Sequence, residues 1–296
     1  MHSIIEADGL SKRFGTITAL DRLSLSIPQG GVYGILGANG AGKSTFFRVC
    51  LDLLRPSDGT LRVFGDHPGN VVCRRRIGAM IETPRYQPFL TAAETLTMLG
   101  KASGIRNVDA AQWLARVGLS DAAHRKVYHF SVGMKQRLGI AAALISHPEL
   151  LILDEPTSGM DPAGIQDMRS LMRGLADKDG VTILLSSHLL DEVQRVCDSV
   201  AIFAKGKLVA EGRINSLLAG QDKLRLLSTT RDILMASLGD RGEPDGDGTL
   251  VSISRAQAPD LLHELIGQGV RLVEARWVGG DLETFYLNQT ENAHDK

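Results

Sequence analysis

Cysteine is scarce in this chain of 296 residues: Cys50, Cys73 and Cys197 stand far apart, and no C-x-x-C pair occurs. That usage fits reduced thiols, partly in the core of a cytosolic protein. Long apolar runs are missing too. The longest, such as 141–145 and 181–185, fall far short of the ~20 residues that span a bilayer. If the protein works at a membrane, another chain must supply the span. The first eight residues lack the basic-then-apolar pattern of a signal peptide. Charge of one sign is lacking as well. Lys+Arg at 33 against Asp+Glu at 34 leaves a formal net charge of −1, so charge gives no argument for nucleic acid.

What remains is ordinary globular composition, 43% hydrophobic and 23% charged, with length enough for one large or two modest domains. One segment stands out. Gly37-Ala38-Asn39-Gly40-Ala41-Gly42-Lys43-Ser44-Thr45 reads G-x-x-x-x-G-K-S, after the apolar run 32–36 and before the helical-looking 46–51. A strand feeding a glycine loop that opens a helix is the context this motif requires. Backbone N–H groups of Gly37, Ala38, Asn39, Gly40, Ala41 and Gly42 would curl around a polyphosphate, and the helix N-terminus adds partial positive charge. Lys43 would reach the β- and γ-phosphates, and Ser44 would offer its hydroxyl to Mg²⁺. The chain therefore binds a nucleoside triphosphate.

Short apolar or alternating runs at 4–7, 17–20 and 23–27, broken by Gly9, Gly15 and Gly30-Gly31, predict strands. The helix after the loop should end near Leu54, with strands at 60–64 and 77–81. From 91 to 146 the spacing turns helical. The apolar run 150–153 and the largely apolar run 181–185 suit the parallel centre of an α/β sheet. Past Gly212 the composition shifts. The tail predicts strand (224–227), helix (231–238), an exposed turn (239–248), strand (250–254), helix (259–267) and strand (270–277), a small α+β appendage. Arg74-Arg75-Arg76 reads as a solvated face.

The run 150–153 ends in Asp154-Glu155. Beside a phosphate loop, Asp154 would hold Mg²⁺ directly or through water, and Glu155 would polarise the attacking water. Phe130-Ser131-Val132-Gly133-Met134-Lys135-Gln136-Arg137 lies shortly before. Ser158-Gly159-Met160-Asp161-Pro162 follows, and Ser186-Ser187-His188 closes the set with Glu192. Together these resemble the signature motif, Walker B strand, D-loop and switch histidine of ABC transporter ATPase subunits, over about residues 4–212.

The resemblance implies that Ser131 and Gly133 face the γ-phosphate bound by an opposite subunit, near Asp161. The family's L-S-G-G-Q reads Phe130-Ser131-Val132-Gly133-Met134 here, so the middle glycine and the glutamine are replaced. It further implies that His188 contacts the γ-phosphate and that Phe14 stacks on adenine. Where most members carry glutamine after the 77–81 strand, Glu82 stands. An acidic residue there resembles exporters of bacitracin-type and lantibiotic peptides, and Glu82 would touch Mg²⁺ or water. The ending 280–290 resembles the tail of the same class.

The expected fold is α/β: a P-loop NTPase with a RecA-like core, an antiparallel β subdomain and an inserted helical subdomain at about 84–146, spanning 4–220. A small C-terminal α+β domain follows at 221–296. The expected function is the ATP-hydrolysing subunit of an ABC exporter using ATP and Mg²⁺, with efflux of a peptide antibiotic or other amphiphile. Its partners would be a membrane-spanning permease and a second ATPase subunit, a homodimer, with no nucleic acid. Its place would be the cytoplasmic face of the membrane. The alternative is a non-transport ABC ATPase acting on ribosomes or DNA.

Overall fold

The computed structural model describes residues 3–81, 84–218, 223–278 and 280–292, with only the backbone at 288 and 290–292. These divide at Gly212/Arg213 into two compact units. In the first, β1 (Ser3–Phe14) and β2 (Ile17–Pro28) pair antiparallel. Leu23, Leu25 and Ile27 of β2 are buried while Ser24 and Ser26 are exposed, the alternation of a sheet with one face on a core. After β3 (Val32–Leu36) and α1 (Lys43–Cys50), β4 (Asp58–Val63) joins the other side of β1, giving the order β2-β1-β4.

The main sheet runs β5-β6-β7-β3-β8-β9. It comprises β3, β5 (Ile77–Met80), β6 (Leu150–Asp154), β7 (Thr182–Ser187), β8 (Ser199–Ala204) and β9 (Lys207–Arg213). The pairs from β5 to β8 are parallel. Every residue of β3, β6 and β7 is buried, as expected for central strands covered on both faces. β8 and β9 are joined by Lys205-Gly206, both at positive φ (50° and 79°), the type I′ geometry of a tight hairpin.

Of the helices, α2 (Val71–Arg75) precedes β5, and α3 (Ala92–Ala102), α4 (Ala110–Arg116) and α5 (Val132–Leu144) pack together between β5 and β6. α3 opens on a full capping box. Glu94 donates its N–H to Thr91 Oγ1, while the Glu94 carboxylate accepts the Thr91 N–H. α6 (Pro162–Asp179) follows β6 and α7 (Leu190–Val196) follows β7. α1 is wedged between the two sheets. Its Phe46 and Phe47 are fully buried, and the Phe46 ring meets Phe203 edge-on at 5.7 Å. The three cysteines are free and buried; burial pushes the Cys50 and Cys197 thiols up, away from the thiolate.

The second unit holds α8 (Ile214–Leu217), β10 (Lys223–Ser228), α9 (Arg231–Leu238), β11 (Gly242–Asp245), β12 (Gly248–Ser252), α10 (Ala258–Gly267), β13 (Leu272–Val278) and α11 (Leu282–Asn292). Its antiparallel sheet runs β11-β12-β10-β13. With the order β-α-β-β-α-β from β10 to β13, this is a ferredoxin-like plait. Leu224, Leu226 and Val251 pack with Leu234, Leu238, Leu261 and Leu265 in its core.

Several local expectations needed correction. The helix after the phosphate loop ends at Cys50, not near Leu54, because Asp52 takes φ 57° and turns the chain. The span 239–248 contains a strand, β11. Asp245 pairs with Gly248 around Gly246 (φ 56°), which makes a two-residue hairpin of that turn. Arg74 and Arg75 are exposed, but Arg76 is not merely solvated. It grips Glu149 with two bonds of 2.6 and 2.8 Å and lies 3.7 Å from the Phe64 ring centroid.

Candidate functional site

β3 delivers the chain to the loop 37–42 at the C-terminal edge of the parallel sheet, where α/β proteins bind ligands. Gly42 caps α1 at φ 107°, and a Cβ there would sit 2.6 Å from Ala19 O. Only glycine fits both the angle and the approach. No side chain caps α1, so the N–H groups of its first turn, which lack intrahelical carbonyls, are left to bind an anion. Lys43 is buried, its Nζ donating to Gly37 O at 2.6 Å and lying 3.4 Å from Ala38 O. The ammonium thus sits inside the curl of its own loop. Ser44 and Thr45 are half-buried in the same turn, and Ala38, Asn39 and Gly40 are exposed at the rim.

The second group comes from β6 and β7. Asp154 and Ser186 are register partners at the ends of these strands. Ser186 Oγ donates to Asp154 Oδ1 at 2.5 Å and accepts the Glu155 N–H at 3.0 Å. Glu155 leaves the sheet at φ 51°, a conformation that costs a non-glycine residue roughly 1–3 kcal/mol and clusters at functional sites. The bend aims its carboxylate at both other groups. Oε2 lies 2.7 Å from His188 Nδ1, and Oε1 lies 3.5 Å from Lys43 Nζ. Nδ1 against a carboxylate carries its proton, which leaves Nε2 on the far edge of the ring. Two residues past Glu155, Thr157 donates to the buried Glu192 carboxylate at 2.6 Å, tying this turn to α7.

Ser131, Gly133 and Asp161 form a third group. Ser131 caps α5, its Oγ accepting the Met134 N–H at 3.2 Å, and Val132 is the first helical residue. Asp161 caps α6 through the Gly164 N–H at 2.9 Å. The two helix starts meet, since a Cβ on Gly133 would lie 3.0 Å from Met160 Cε. They share an open pocket of 770 Å³ with Arg125, Arg137 and Asp167. Lys43, Asp154, Glu155 and His188 do not line that pocket. Phe14 stands apart at the end of β1, 45% exposed, with Lys12 Nζ 5.1 Å from its ring centroid. Glu82 lies outside the described residues.

So the structure brings Lys43 and His188 to the Glu155 carboxylate, ties Asp154 to the Glu155 backbone through Ser186, and gathers Ser131, Gly133 and Asp161 around a separate pocket. Two participants had no assigned role in the sequence reading. Ser186 sat inside a quoted motif, and only the strand register reveals its double contact. Thr157 is a residue whose partner is set by tertiary packing alone.

The ABC transporter family pattern matches residues 20–158. Bacitracin transport ATP-binding protein BcrA of Bacillus licheniformis is 44% identical over 214 residues, 71% of this chain and 70% of that protein. The chain belongs to the ABC transporter ATP-binding family. The daunorubicin/doxorubicin resistance ATP-binding protein DrrA of Streptomyces peucetius is 39% identical over 84% of this chain and 79% of its own length. Among solved structures, cbiO1 from Clostridium perfringens, part of the ABC transporter complex cbiONQ, superposes with a TM-score of 0.67. It is 26% identical, over 81% of this chain and 96% of that one. As an ABC ATP-binding subunit the protein binds and hydrolyses ATP, and its P-loop α/β fold agrees with the expectation. Among the described residues no helix is long and apolar enough to cross a membrane.

Proposed function

We propose that two copies of this subunit close on two ATP molecules at the cytoplasmic face of the membrane and drive export through a separate permease. The observation that carries this reading is the linked set Lys43, Glu155 and His188, with Asp154 held beside it by Ser186. The loop N–H groups and Lys43 bind the phosphates, and Phe14 stacks on the base. A ring face discriminates bases weakly, so Phe serves this purpose as well as Tyr. Glu155 accepts a hydrogen bond from the attacking water and orients it in line with the γ-phosphoryl group. His188, braced by Glu155 through Nδ1, turns its other edge to the γ-phosphate. Ser131 and Gly133, at an exposed helix start, serve the ATP of the opposite subunit, and Asp161 adjoins them at the same face.

The donor set suits Mg²⁺. Among the described residues no cluster of three His, Cys, Asp or Glu side chains forms a metal cage. Mg²⁺ takes one or two protein oxygens and leaves the rest to phosphates and water. Ser44 Oγ and the Asp154 oxygen not engaged by Ser186 would be those ligands, with Glu82 as a further candidate. Bound there, the ion neutralises charge building on the phosphates.

The cargo follows from the relatives. BcrA is named for bacitracin transport, another relative, SrtF of Streptococcus pyogenes, for lantibiotic transport, and DrrA for daunorubicin/doxorubicin resistance. A peptide antibiotic or similar amphiphile is the class these share. The same names set aside the ribosome- or DNA-acting alternative. The test is co-expression with candidate multi-span permeases from the same genome. A stable complex that confers resistance to such an amphiphile supports the reading, and failure of every membrane partner to bind or alter hydrolysis refutes it.

A further inference from the structure

We propose that Ser186 is a positioning residue for hydrolysis: one hydroxyl fixes the Asp154 carboxylate and the bent Glu155 backbone that carries the second carboxylate at the end of β6. The inference rests on the assignment of Glu155 as the group that orients water. Four observations carry it. Asp154 and Ser186 face each other in the parallel register. Ser186 is fully buried. Its Oγ donates to Asp154 Oδ1 at 2.5 Å and accepts the Glu155 N–H at 3.0 Å. Glu155 holds a positive φ of 51°.

The backbone explains why a hydroxyl is needed. At Glu155 the chain bends out of the sheet and can no longer continue the ladder of β6 on β7. A half-buried N–H without a partner is costly, and a left-handed glutamate reverts unless its surroundings hold it. Ser186 Oγ supplies the missing acceptor. The same oxygen spends its proton on Asp154, which stops that carboxylate from rotating. Only a side chain that donates and accepts through one short-reaching atom does both, and among the residue types that is Ser or Thr.

β7 ends at Ser187 and the chain passes directly to His188, so one strand end grips the dipeptide twice. Ser186 holds it from below in the dry interior, and His188 holds Glu155 from the solvent side at 2.7 Å. The outer contact is exposed, with His188 side-chain exposure of 45%, and water competes for it. The inner contact is dry and holds the Glu155 backbone without competition from water.

The experiment compares Ser186→Ala and Ser186→Thr with the parent in ATP hydrolysis, and reads amide hydrogen exchange at Glu155. Misplacing a reacting group by about 1 Å costs on the order of 10²-fold in rate. Ser186→Ala should therefore lower kcat about 10–100-fold with KM for ATP within about threefold. Exchange at the Glu155 amide should quicken about tenfold or more while the rest of β6 keeps its protection. Ser186→Thr, which keeps the hydroxyl, should recover most of the rate. Unchanged kcat in Ser186→Ala overturns the proposal. So does a loss of kcat, KM and melting temperature together that Thr does not repair. Glu155→Gln is the control that separates the two levels. If it hydrolyses ATP normally, the reading of Glu155 fails. If it is inert while Ser186→Ala is normal, only the role of Ser186 fails.

Discussion

Phe46→Ala tests how the phosphate loop is anchored. Phe46 lies three residues after Lys43, is fully buried, and meets Phe203 edge-on at 5.7 Å and Phe47 at 6.3 Å. Truncating such a ring removes its burial and leaves a cavity, and large-to-small changes of this kind cost about 3–5 kcal/mol. The edge-on pair lies within that range, since aromatic pairs add about 0.5–1.5 kcal/mol beyond area. For a unit of this size each kcal/mol shifts the midpoint by about 2–4 °C, so a loss near 4 kcal/mol should lower it by about 8–16 °C. The assay is thermal and urea unfolding of the ATP-binding unit within the full chain. Leu53→Ala is the control, because Leu53 is 64% exposed and such surface changes stay within about 0.5 kcal/mol. Saturating ATP should raise both variants' midpoints, since a ligand stabilises whatever fraction is folded. A Phe46→Ala loss below about 1 kcal/mol would refute the claim that α1 is held by its aromatic wedge.

Two further outcomes follow from single contacts. Gly42→Ala should weaken ATP binding about tenfold, because left-handed strain of ~1–2 kcal/mol and the contact with Ala19 O displace the start of α1. Calorimetric titration with ATP reads this, and parent affinity would contradict it. Glu149→Gln tests a pH dependence. The two-bonded Arg76 guanidinium holds the Glu149 carboxyl below the ordinary carboxylate range. A depressed folded pKa gives stability that is present above the unfolded value and is lost as pH falls through the folded one. Both partners are partly exposed, so the parent should exceed the variant by no more than roughly 1 kcal/mol near neutrality. That margin should vanish in acid, and a margin that grows in acid would contradict the sign.

Much of this was legible in the sequence because the signals were local. The motif at 37–45 is contiguous, and each of its glycines and its lysine carries its own reason. The run 150–153 is wholly apolar and 181–185 is apolar except for Thr182, which suits strands covered on both faces, and all but Val181 lie within the central sheet. The capped α5 was readable from Ser131, and Val132 has the ordinary helical backbone that a β-branched residue requires. Other features depend on partners far along the chain. β9 is only half-buried and mixed in composition, so its place rests on the Lys205-Gly206 turn and the neighbouring β8. The sequence does not mark α6, because charged residues are spread along it and its buried positions are few. The short strand β11, Gly-Glu-Pro-Asp, has no strand propensity and exists through its pairing with β12. Glu155's bend was invisible for the same reason. Nothing in Asp154-Glu155-Pro156 specifies a positive φ, and the hydroxyl that supports it arrives from thirty-one residues away.

The most direct measurement is phosphate release by Glu155→Gln beside its equilibrium binding of ATP. The account predicts that turnover falls about 10²–10⁴-fold, the usual contribution of a positioned base, while affinity for ATP stays at the parent level. Hydrolysis at the parent rate would contradict it, because the group that Lys43, His188 and Ser186 all hold in place would then have no part in the reaction.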